Sequence, residues 1–193
     1  MFNMTNNTND LNTKTAVYAG GCFWCTESDL RKVPGVVDVI SGYVGEARPD
    51  GSLPSYENHN GFREAVRVIY DPVATNFKKL TQFFLDHIDP TDAGGQFYDR
   101  GSSYKTAIYY QSPEEKTFAE SLLKELDESA IYEKPAVVDL LPESSFFNAE
   151  EYHQKYAEKN PDHYSAYKKG SGRADFEAKT CSIRDQKGIN WRD

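Results

Sequence analysis

Side chains that can carry out redox or acid–base chemistry lie at the ends of predicted strands and in two long loops. They are one thiol, Cys22, two carboxyls, Glu64 and Asp99, and two phenols, Tyr56 and Tyr104. A thiolate attacks electrophilic atoms, a neutral carboxyl donates protons, and phenols hydrogen-bond an oxygen that gains negative charge. This combination favours redox or acyl-transfer chemistry.

Cys22 follows Gly20-Gly21 at the junction between a predicted strand and a predicted helix. The unpaired N–H groups and the dipole at a helix start stabilise an anion, so we expect the Cys22 thiol to ionise readily. The alternative is that Cys22 is a small buried apolar side chain, as many free cysteines are. The two glycines, the neighbouring aromatic residues and a second cysteine, Cys25, favour a function.

Glu64 lies in a predicted strand, where alternation places it on the same face as Val66 and Val68. Burial of a carboxyl beside valines raises its pKa, which makes it a proton donor near neutral pH. The alternative is an acid that faces solvent or pairs with Arg63 or Arg67.

The elements that must position these residues alternate between strand and helix patterns. Strands are predicted at 15–19, 36–44, 64–72, 104–110 and 136–141, and helices at 22–33, 77–88, 113–128 and 149–159. The second and third strands follow each other through a long loop, without a helix between them. This order predicts an α+β fold, a two-layer α/β sandwich with a ferredoxin-like βαββαβ core, a mixed and largely antiparallel sheet, and an added C-terminal strand, helix and tail.

Composition and length bound the organisation of the chain. We expect a disordered leader over 1–14, a single catalytic domain over 15–167 and a mobile C-terminal tail over 168–193, because both ends are polar and poor in apolar anchors. The net charge of -8 disfavours nucleic acid and anionic membranes as partners. No signal peptide or membrane-spanning stretch is recognisable, so we expect a cytoplasmic protein, and we expect a monomer.

The motifs around these residues resemble those of peptide methionine sulfoxide reductases of the A type. The resemblance runs in consistent order from Val17 to Gly172. It is carried by Gly21-Cys22-Phe23-Trp24, Gly42-Tyr43 with Pro54-Ser55-Tyr56, Gly61-Phe62-Arg63-Glu64-Ala65-Val66, Asp99-Arg100-Gly101-Ser102-Ser103-Tyr104 with Ala107-Ile108-Tyr109-Tyr110, and Glu151-Tyr152-His153-Gln154 with Lys159-Asn160-Pro161. It implies reduction of methionine S-sulfoxide, free or in proteins, as a repair of oxidised proteins, with thioredoxin as the external reductant and no bound cofactor or metal.

The resemblance also implies a role for each site residue. Cys22 would attack the sulfoxide sulfur, and Glu64 would protonate the oxygen while the two phenols hydrogen-bond it. Phe23 and Trp24 would hold the S-methyl group, and Asp99 would bind the main-chain N–H of the substrate. The chain departs from the usual family pattern in carrying Phe62 in place of histidine, Ser103 in place of glutamine and Cys25 in place of glycine.

Cys25 and Cys181 are the candidate resolving cysteines, because a sulfenic acid at Cys22 condenses with a nearby thiol. Cys25 is one helical turn away, but i,i+3 Cβ atoms lie about 5–6 Å apart and a disulfide needs about 3.8 Å. Cys181 lies in a tail that can reach the site at modest loop-closure cost. We expect Cys25 to form the first disulfide, Cys181 to take it over by exchange, and thioredoxin to reduce it.

Two other classes of protein fit parts of the sequence. The Cys22-x-x-Cys25 pattern at a helix start is also typical of thioredoxin-like dithiol oxidoreductases, which need no buried acid. The same pair is half of a zinc site, but no second pair follows and the histidines show no ligand spacing. Of these histidines, His87 is expected to pack in the core and His153 to be structural.

Overall fold

Eight strands and six helices make up the part of the chain that the computed structural model describes, residues 12–187. The strands are β1 (Lys14–Ala19), β2 (Val36–Val44), β3 (Arg63–Tyr70), β4 (Gly95–Gln96), β5 (Asp99–Arg100), β6 (Ala107–Tyr110), β7 (Asp139–Pro142) and β8 (Phe146–Asn148). The helices are α1 (Phe23–Leu30), α2 (Phe77–Asp86), α3 (Pro113–Glu128), α4 (Tyr156–Lys159), α5 (Pro161–Gly170) and α6 (Arg173–Lys187).

Six of the strands form one sheet in the order β7-β6-β1-β3-β2-β8, and β4 and β5 form a separate hairpin. All neighbours in the large sheet are antiparallel except β6 and β7, which are parallel. The predicted α+β class with a mixed, largely antiparallel sheet is therefore confirmed.

The main core lies between the sheet and the helices. Val66 and Val68 of β3 belong to the cluster that also contains Leu80 and Phe84 of α2, whereas Ala65 belongs to a smaller cluster on the opposite face. The side chains of β3 therefore alternate as the sequence predicts. Glu64, which precedes Ala65, is directed towards the helical face, at the start of α1.

The C-terminal third differs most from the sequence-based expectations. In place of one helix over 149–159, the chain forms a short 3-10 turn at Glu151–His153 and then α4. Lys155 lies between them with φ of 53°, in the left-handed region that interrupts a helix. Pro161, which follows the helix predicted over 149–159, is the first residue of a further helix, α5, because proline is well tolerated in a first turn. The short strand β8 was also missed.

The structure also differs from the expected tail over 168–193, because residues 168–187 contain the end of α5 and the whole of α6. Lys168 pairs with Asp29 of α1, and Arg184 pairs with Asp86 of α2. These ion pairs join the segment to the domain through charged rather than apolar anchors, which is why its composition resembled a free tail. β1 begins at Lys14, one residue inside the expected leader.

The remainder of the expected leader, residues 1–11, lies outside the described residues, as does the segment 188–193, which includes Trp191. Within residues 12–187, no helix combines the length and apolar character needed to cross a membrane.

Candidate active site

A cavity of about 210 Å³ opens at the start of α1. It is lined by Cys22, Phe23, Trp24, Tyr56, Glu64, Asp99, Tyr104 and Tyr167. The structure thus brings together the seven residues predicted as catalytic or substrate-binding and adds Tyr167. A larger cavity of about 460 Å³, lined by residues that include Val33, Ala74 and Phe83, contains no thiol. We therefore identify the candidate site by its chemistry rather than by its volume.

The turn from β1 into α1 fixes the position of Cys22. The Cys22 carbonyl accepts hydrogen bonds from the backbone N–H groups of Cys25 and Thr26, at 3.2 and 3.3 Å, so Cys22 occupies the N-cap position. Gly21 has φ of 80°, and a Cβ atom there would lie 2.4 Å from the Cβ atom of Gln96. Glycine is therefore required immediately before the nucleophile.

The pKa of the Cys22 thiol is raised well above its ordinary value, chiefly by burial. Its hydrogen bond to Cys25 and the nearby carboxyls of Glu64 and Asp99 raise the pKa further. The expectation that the helix start makes this thiol ionise readily is therefore wrong. A helix terminus stabilises an anion by about 0.3–1 kcal/mol, whereas full burial moves a pKa by up to about 3–5 units.

Glu64 is 2% exposed, and its Oε2 atom accepts a hydrogen bond from the backbone N–H of Phe23 at 3.0 Å. Burial raises the pKa of Glu64 to about 8, although the hydrogen bond from Phe23 lowers it. The predicted rise is confirmed, and the carboxyl is mostly protonated at neutral pH. The alternative of an acid that faces solvent is wrong, because Glu64 is buried. Pairing with Arg63 or Arg67 is also wrong, because Arg63 pairs with Asp139 and Arg67 stacks on Phe146.

The ring of Trp24, which forms part of the aromatic wall of the cavity, is fixed by contacts with residues outside the cavity. The ring of Trp24 stacks on Tyr156 at 3.8 Å with an interplanar angle of 8°, and its indole N–H donates to Nδ1 of His153 at 3.0 Å. Burial lowers the pKa of His153, which keeps Nδ1 free to accept. His153 therefore has the structural role that the sequence indicated, which is to orient Trp24.

The phenols of Tyr56 and Tyr104 face the same space as Glu64. Burial raises the pKa of both, and the charge of the Glu64 carboxylate adds to the rise, so they remain neutral hydrogen-bond donors. The backbone N–H of Tyr56 donates to Glu150 at 2.9 Å, and Tyr104 ends the 3-10 turn after β5. Tyr56 comes from a long loop, as expected. Tyr104 was predicted to begin a strand over 104–110, but the strand β6 begins only at Ala107.

Sequence reasoning missed Tyr167, which lies on α5. Its hydroxyl donates a short hydrogen bond to Asp99, and its ring meets the edge of Trp24 with centroids 6.0 Å apart. Asn160-Pro161-Asp162 is a helix-start pattern that could have revealed α5. Burial raises the pKa of Asp99, and the hydrogen bond from Tyr167 lowers it.

Across residues 12–187, no three His, Cys, Asp or Glu side chains are arranged to hold a metal ion. The cavity instead combines a thiol, a protonated carboxyl, phenolic donors and an aromatic wall. This combination suits thiol-dependent redox chemistry on a partly apolar, oxygen-bearing group.

Comparison with known proteins identifies the family. A family model described as peptide methionine sulfoxide reductase matches residues 14–184. A relative from Bacillus velezensis, named peptide methionine sulfoxide reductase MsrA, is 48% identical over 165 residues, which cover 83% of this chain and 92% of that protein. The chain therefore belongs to the peptide methionine sulfoxide reductase family, in its MsrA group.

Solved structures agree with this assignment. Mxr1 from Saccharomyces cerevisiae in its reduced form has a TM-score of 0.70 and 32% identity, covering 77% of this chain and 86% of that one. Methionine sulfoxide reductase A of Corynebacterium diphtheriae has a TM-score of 0.65 and 28% identity, covering 77% and 76%.

Proposed function

We propose that this enzyme reduces methionine S-sulfoxide, free or in proteins, by attack of Cys22 on the sulfoxide sulfur. The observation that carries the proposal is the buried carboxyl of Glu64, which accepts a hydrogen bond from the backbone N–H of Phe23, the residue that follows Cys22. Its pKa, raised by burial to about 8, favours the protonated form at neutral pH. A sulfoxide oxygen leaves poorly unless it is protonated, so a neutral carboxyl beside the nucleophile is the required partner.

The proposed step conserves atoms and electrons. The Cys22 sulfur loses its proton and forms an S–S bond with the substrate sulfur, while Glu64 gives a proton to the sulfoxide oxygen. The substrate S–O bond breaks, and the oxygen leaves as water with these two protons. A water molecule then attacks the Cys22 sulfur, the S–S bond breaks with its electron pair going to methionine, and a proton returns to Glu64. The products are methionine and a sulfenic acid on Cys22, which is oxidised by two electrons. The hydroxyls of Tyr56 and Tyr104 stabilise the oxygen as it gains charge.

The opposite wall of the cavity suits the apolar part of the substrate. Phe23 is 1% exposed, and Trp24 is fixed by Tyr156 and His153, so we place the S-methyl group against these two rings. Asp99 is placed to accept a hydrogen bond from the substrate main chain. A fixed wall and fixed donors distinguish the two sulfur epimers, since only one directs its oxygen towards Glu64 while its methyl group meets the rings.

The test is to incubate the enzyme with each sulfoxide epimer and dithiothreitol and to measure methionine. The S epimer is expected to give methionine with continued turnover, whereas the R epimer is expected to give little or none. Equal rates on both epimers would contradict the proposed orientation.

Substitution of Tyr167 tests the role assigned to Asp99. Tyr167→Phe removes the hydroxyl that donates to Asp99, so we expect the KM for a sulfoxide-containing peptide to rise about fivefold, the equivalent of one hydrogen bond of about 1 kcal/mol. The kcat is expected to change little, because the reacting atoms are untouched. Steady-state kinetics with wild-type enzyme as reference measure the split. A fall in kcat at unchanged KM would instead assign Tyr167 to the chemical step.

For recycling, we propose that Cys25 forms the first disulfide with Cys22. The two thiols lie at the start of α1, close enough for each to shift the pKa of the other, and both are buried. Cys181 is half-buried on α6, eight residues and about 12 Å along the helix from Arg173 at its start, so it reaches the site only if α6 moves or unwinds. Cys181 would then receive the disulfide by exchange, as expected from the sequence.

The proposed final reductant is thioredoxin. Mxr1 is known in complex with Trx2. Cys22 and Cys25 are buried, so the disulfide that a thioredoxin dithiol would reduce is the one that has passed to Cys181 by exchange. No bound cofactor is needed, because all electrons come from thiols.

Peptide mapping decides between the two resolving thiols. After one equivalent of sulfoxide without reductant, Cys181→Ser is expected to form a Cys22–Cys25 disulfide at the wild-type rate, whereas Cys25→Ser is expected to accumulate sulfenic acid on Cys22 first. A Cys22–Cys181 disulfide that forms at the wild-type rate in Cys25→Ser would remove Cys25 from the mechanism.

The detailed fold type, the domain bounds, the oligomeric state and the cellular location are also proposals. The strand order β6-β1-β3-β2 with antiparallel neighbours supports our description of the core as ferredoxin-like. We likewise propose a single catalytic domain, which begins with β1 and includes α5 and α6, and a monomeric enzyme that acts in the cytoplasm.

A further inference from the structure

A buried cation lies beneath the turn that carries Cys22. Arg173, the first residue of α6, is 2% exposed. Its Nη2 atom donates to the carbonyl of Gly20 at 2.9 Å, and its Nη1 atom donates to the carbonyl of His87 at 2.8 Å. Its guanidinium lies over the ring of Phe97, 4.7 Å from the centroid. These contacts hold one positive charge against both the β1–α1 turn and the end of α2.

Within the described part of the chain, Arg173 differs from the other two cations that join this segment to the domain. Lys168 and Arg184 pair with Asp29 and Asp86, whereas no carboxylate forms a salt bridge with Arg173 among residues 12–187. A buried positive charge without a carboxylate partner is energetically costly. A neighbouring group that becomes an anion supplies the missing negative charge, so the positive charge stabilises that anion. The carboxyls of Asp29, Glu177 and Asp99 also interact with the charge of Arg173, and the neighbouring groups that can gain a negative charge during recycling are the thiols of Cys22 and Cys25.

Cys25 is the thiol that this arrangement favours as an anion. The hydrogen bond from Cys22 lowers the pKa of Cys25, burial opposes this effect, and the positive charge of Arg173 lowers the pKa further. Other titratable groups face Cys25 from α1, β3 and α5, namely Asp29, Glu64, Tyr164 and Lys168. The charge of Lys168 is already engaged by Asp29 and Glu177, which leaves Arg173 as the cation whose removal changes the environment of Cys25.

We infer that Arg173 is a positioning residue of the thiol pair, which holds the Cys22 turn in place and favours the thiolate of Cys25 for its attack on Cys22. The inference rests on the proposed function, in which Cys22 has become a sulfenic acid. In this step the Cys22–Cys25 S–S bond forms, the S–O bond of the sulfenic acid breaks, and the departing hydroxide takes up the proton lost by Cys25 to give water.

The first measurement isolates Cys25 from sulfoxide chemistry. In the full chain carrying Cys22→Ser and Cys181→Ser, Cys25 is the sole thiol, and its alkylation by iodoacetamide is followed from pH 6 to pH 10. Adding Arg173→Gln is expected to raise the midpoint of this profile by about one pH unit, or about tenfold less thiolate at neutral pH. Arg173→Lys keeps the charge and is expected to leave the midpoint near its original value.

Arg184→Gln is the matched control, because Arg184 is also buried and also joins α6 to α2, through Asp86. It is expected to leave the alkylation profile unchanged. An unchanged midpoint in Arg173→Gln, or an equal shift in Arg184→Gln, would overturn the inference. If Arg173→Gln does not fold, Arg173→Lys decides the matter, since a rise of one unit in that variant would show that the charge is not what acts.

The second measurement follows the disulfide itself. With all three cysteines present and one equivalent of sulfoxide, Arg173→Gln is expected to convert the sulfenic acid on Cys22 into the Cys22–Cys25 disulfide about tenfold more slowly, with methionine release measured separately as the step that precedes it. Disulfide formation at the wild-type rate would contradict the inference. Failure of wild-type enzyme to release methionine would contradict the proposed function instead. The alkylation profile would still test the effect of Arg173 on Cys25, because that experiment uses no sulfoxide.

Discussion

Cys22→Ser is expected to abolish methionine formation, because a serine hydroxyl cannot take up the oxidising equivalents that the sulfoxide loses. The buried, protonated state of the Cys22 thiol does not remove its role, since Cys22 is the thiol at the head of α1 that lines the cavity together with Glu64. The measurement is methionine release with dithiothreitol, which replaces the resolving thiols.

Cys181→Ser is the control for this substitution. Its thiol lies on α6 rather than in the cavity, so this variant is expected to turn over at the wild-type rate when dithiothreitol is the reductant. Cys25→Ser is also expected to keep turning over under these conditions. Full activity in Cys22→Ser would contradict the assignment of Cys22 as the nucleophile.

Glu64→Gln is expected to lower kcat about 10²–10⁴-fold at neutral pH, the usual cost of losing a positioned general acid. The amide keeps the size of the side chain and removes only the acidic proton. The pH profile gives a second signature. Glu64 must be protonated to act, and its pKa is about 8, so wild-type activity is expected to fall as the pH rises through about 8. In Glu64→Gln that alkaline fall is expected to disappear.

Glu27→Gln provides a matched control. Glu27 is 1% exposed on α1 and accepts a hydrogen bond from the backbone N–H of Lys155 at 2.8 Å, but it does not line the cavity. A loss of stability common to buried carboxyls would therefore appear in both variants, whereas the loss of kcat and the altered pH profile should appear only in Glu64→Gln. If Glu64→Gln reduces sulfoxide at the wild-type rate, the acid is another group of the cavity, and Asp99 becomes the candidate.

Much of the site could be predicted because local sequence determines it. The glycines before Cys22 and the helical pattern after it fix the thiol at a helix start, and strand alternation fixes Glu64 among valines. Both positions follow from contacts between near neighbours in sequence. The raised pKa of Glu64 follows from the same alternation, since the face it shares is the buried one.

Tyr167 and Arg173 could not be predicted in the same way. Both come from helices that the sequence did not separate from a polar tail, and they reach the site through contacts with Asp99 and Gly20, many residues earlier in the chain. Charged anchors such as Lys168 and Arg184 hold these helices, so hydrophobic periodicity gave little signal. The ionisation of Cys22 was predicted wrongly for a different reason, because burial outweighs the helix terminus.

The most direct measurement of the central claim is a single turnover in the variant that carries both Cys25→Ser and Cys181→Ser, in which Cys22 is the sole remaining thiol. One equivalent of methionine S-sulfoxide is added without reductant, methionine is quantified, and the Cys22 peptide is examined by mass spectrometry after trapping with a sulfenic-acid reagent. We expect one methionine per chain and one sulfenic acid on Cys22. Methionine released while Cys22 stays a free thiol would contradict the mechanism.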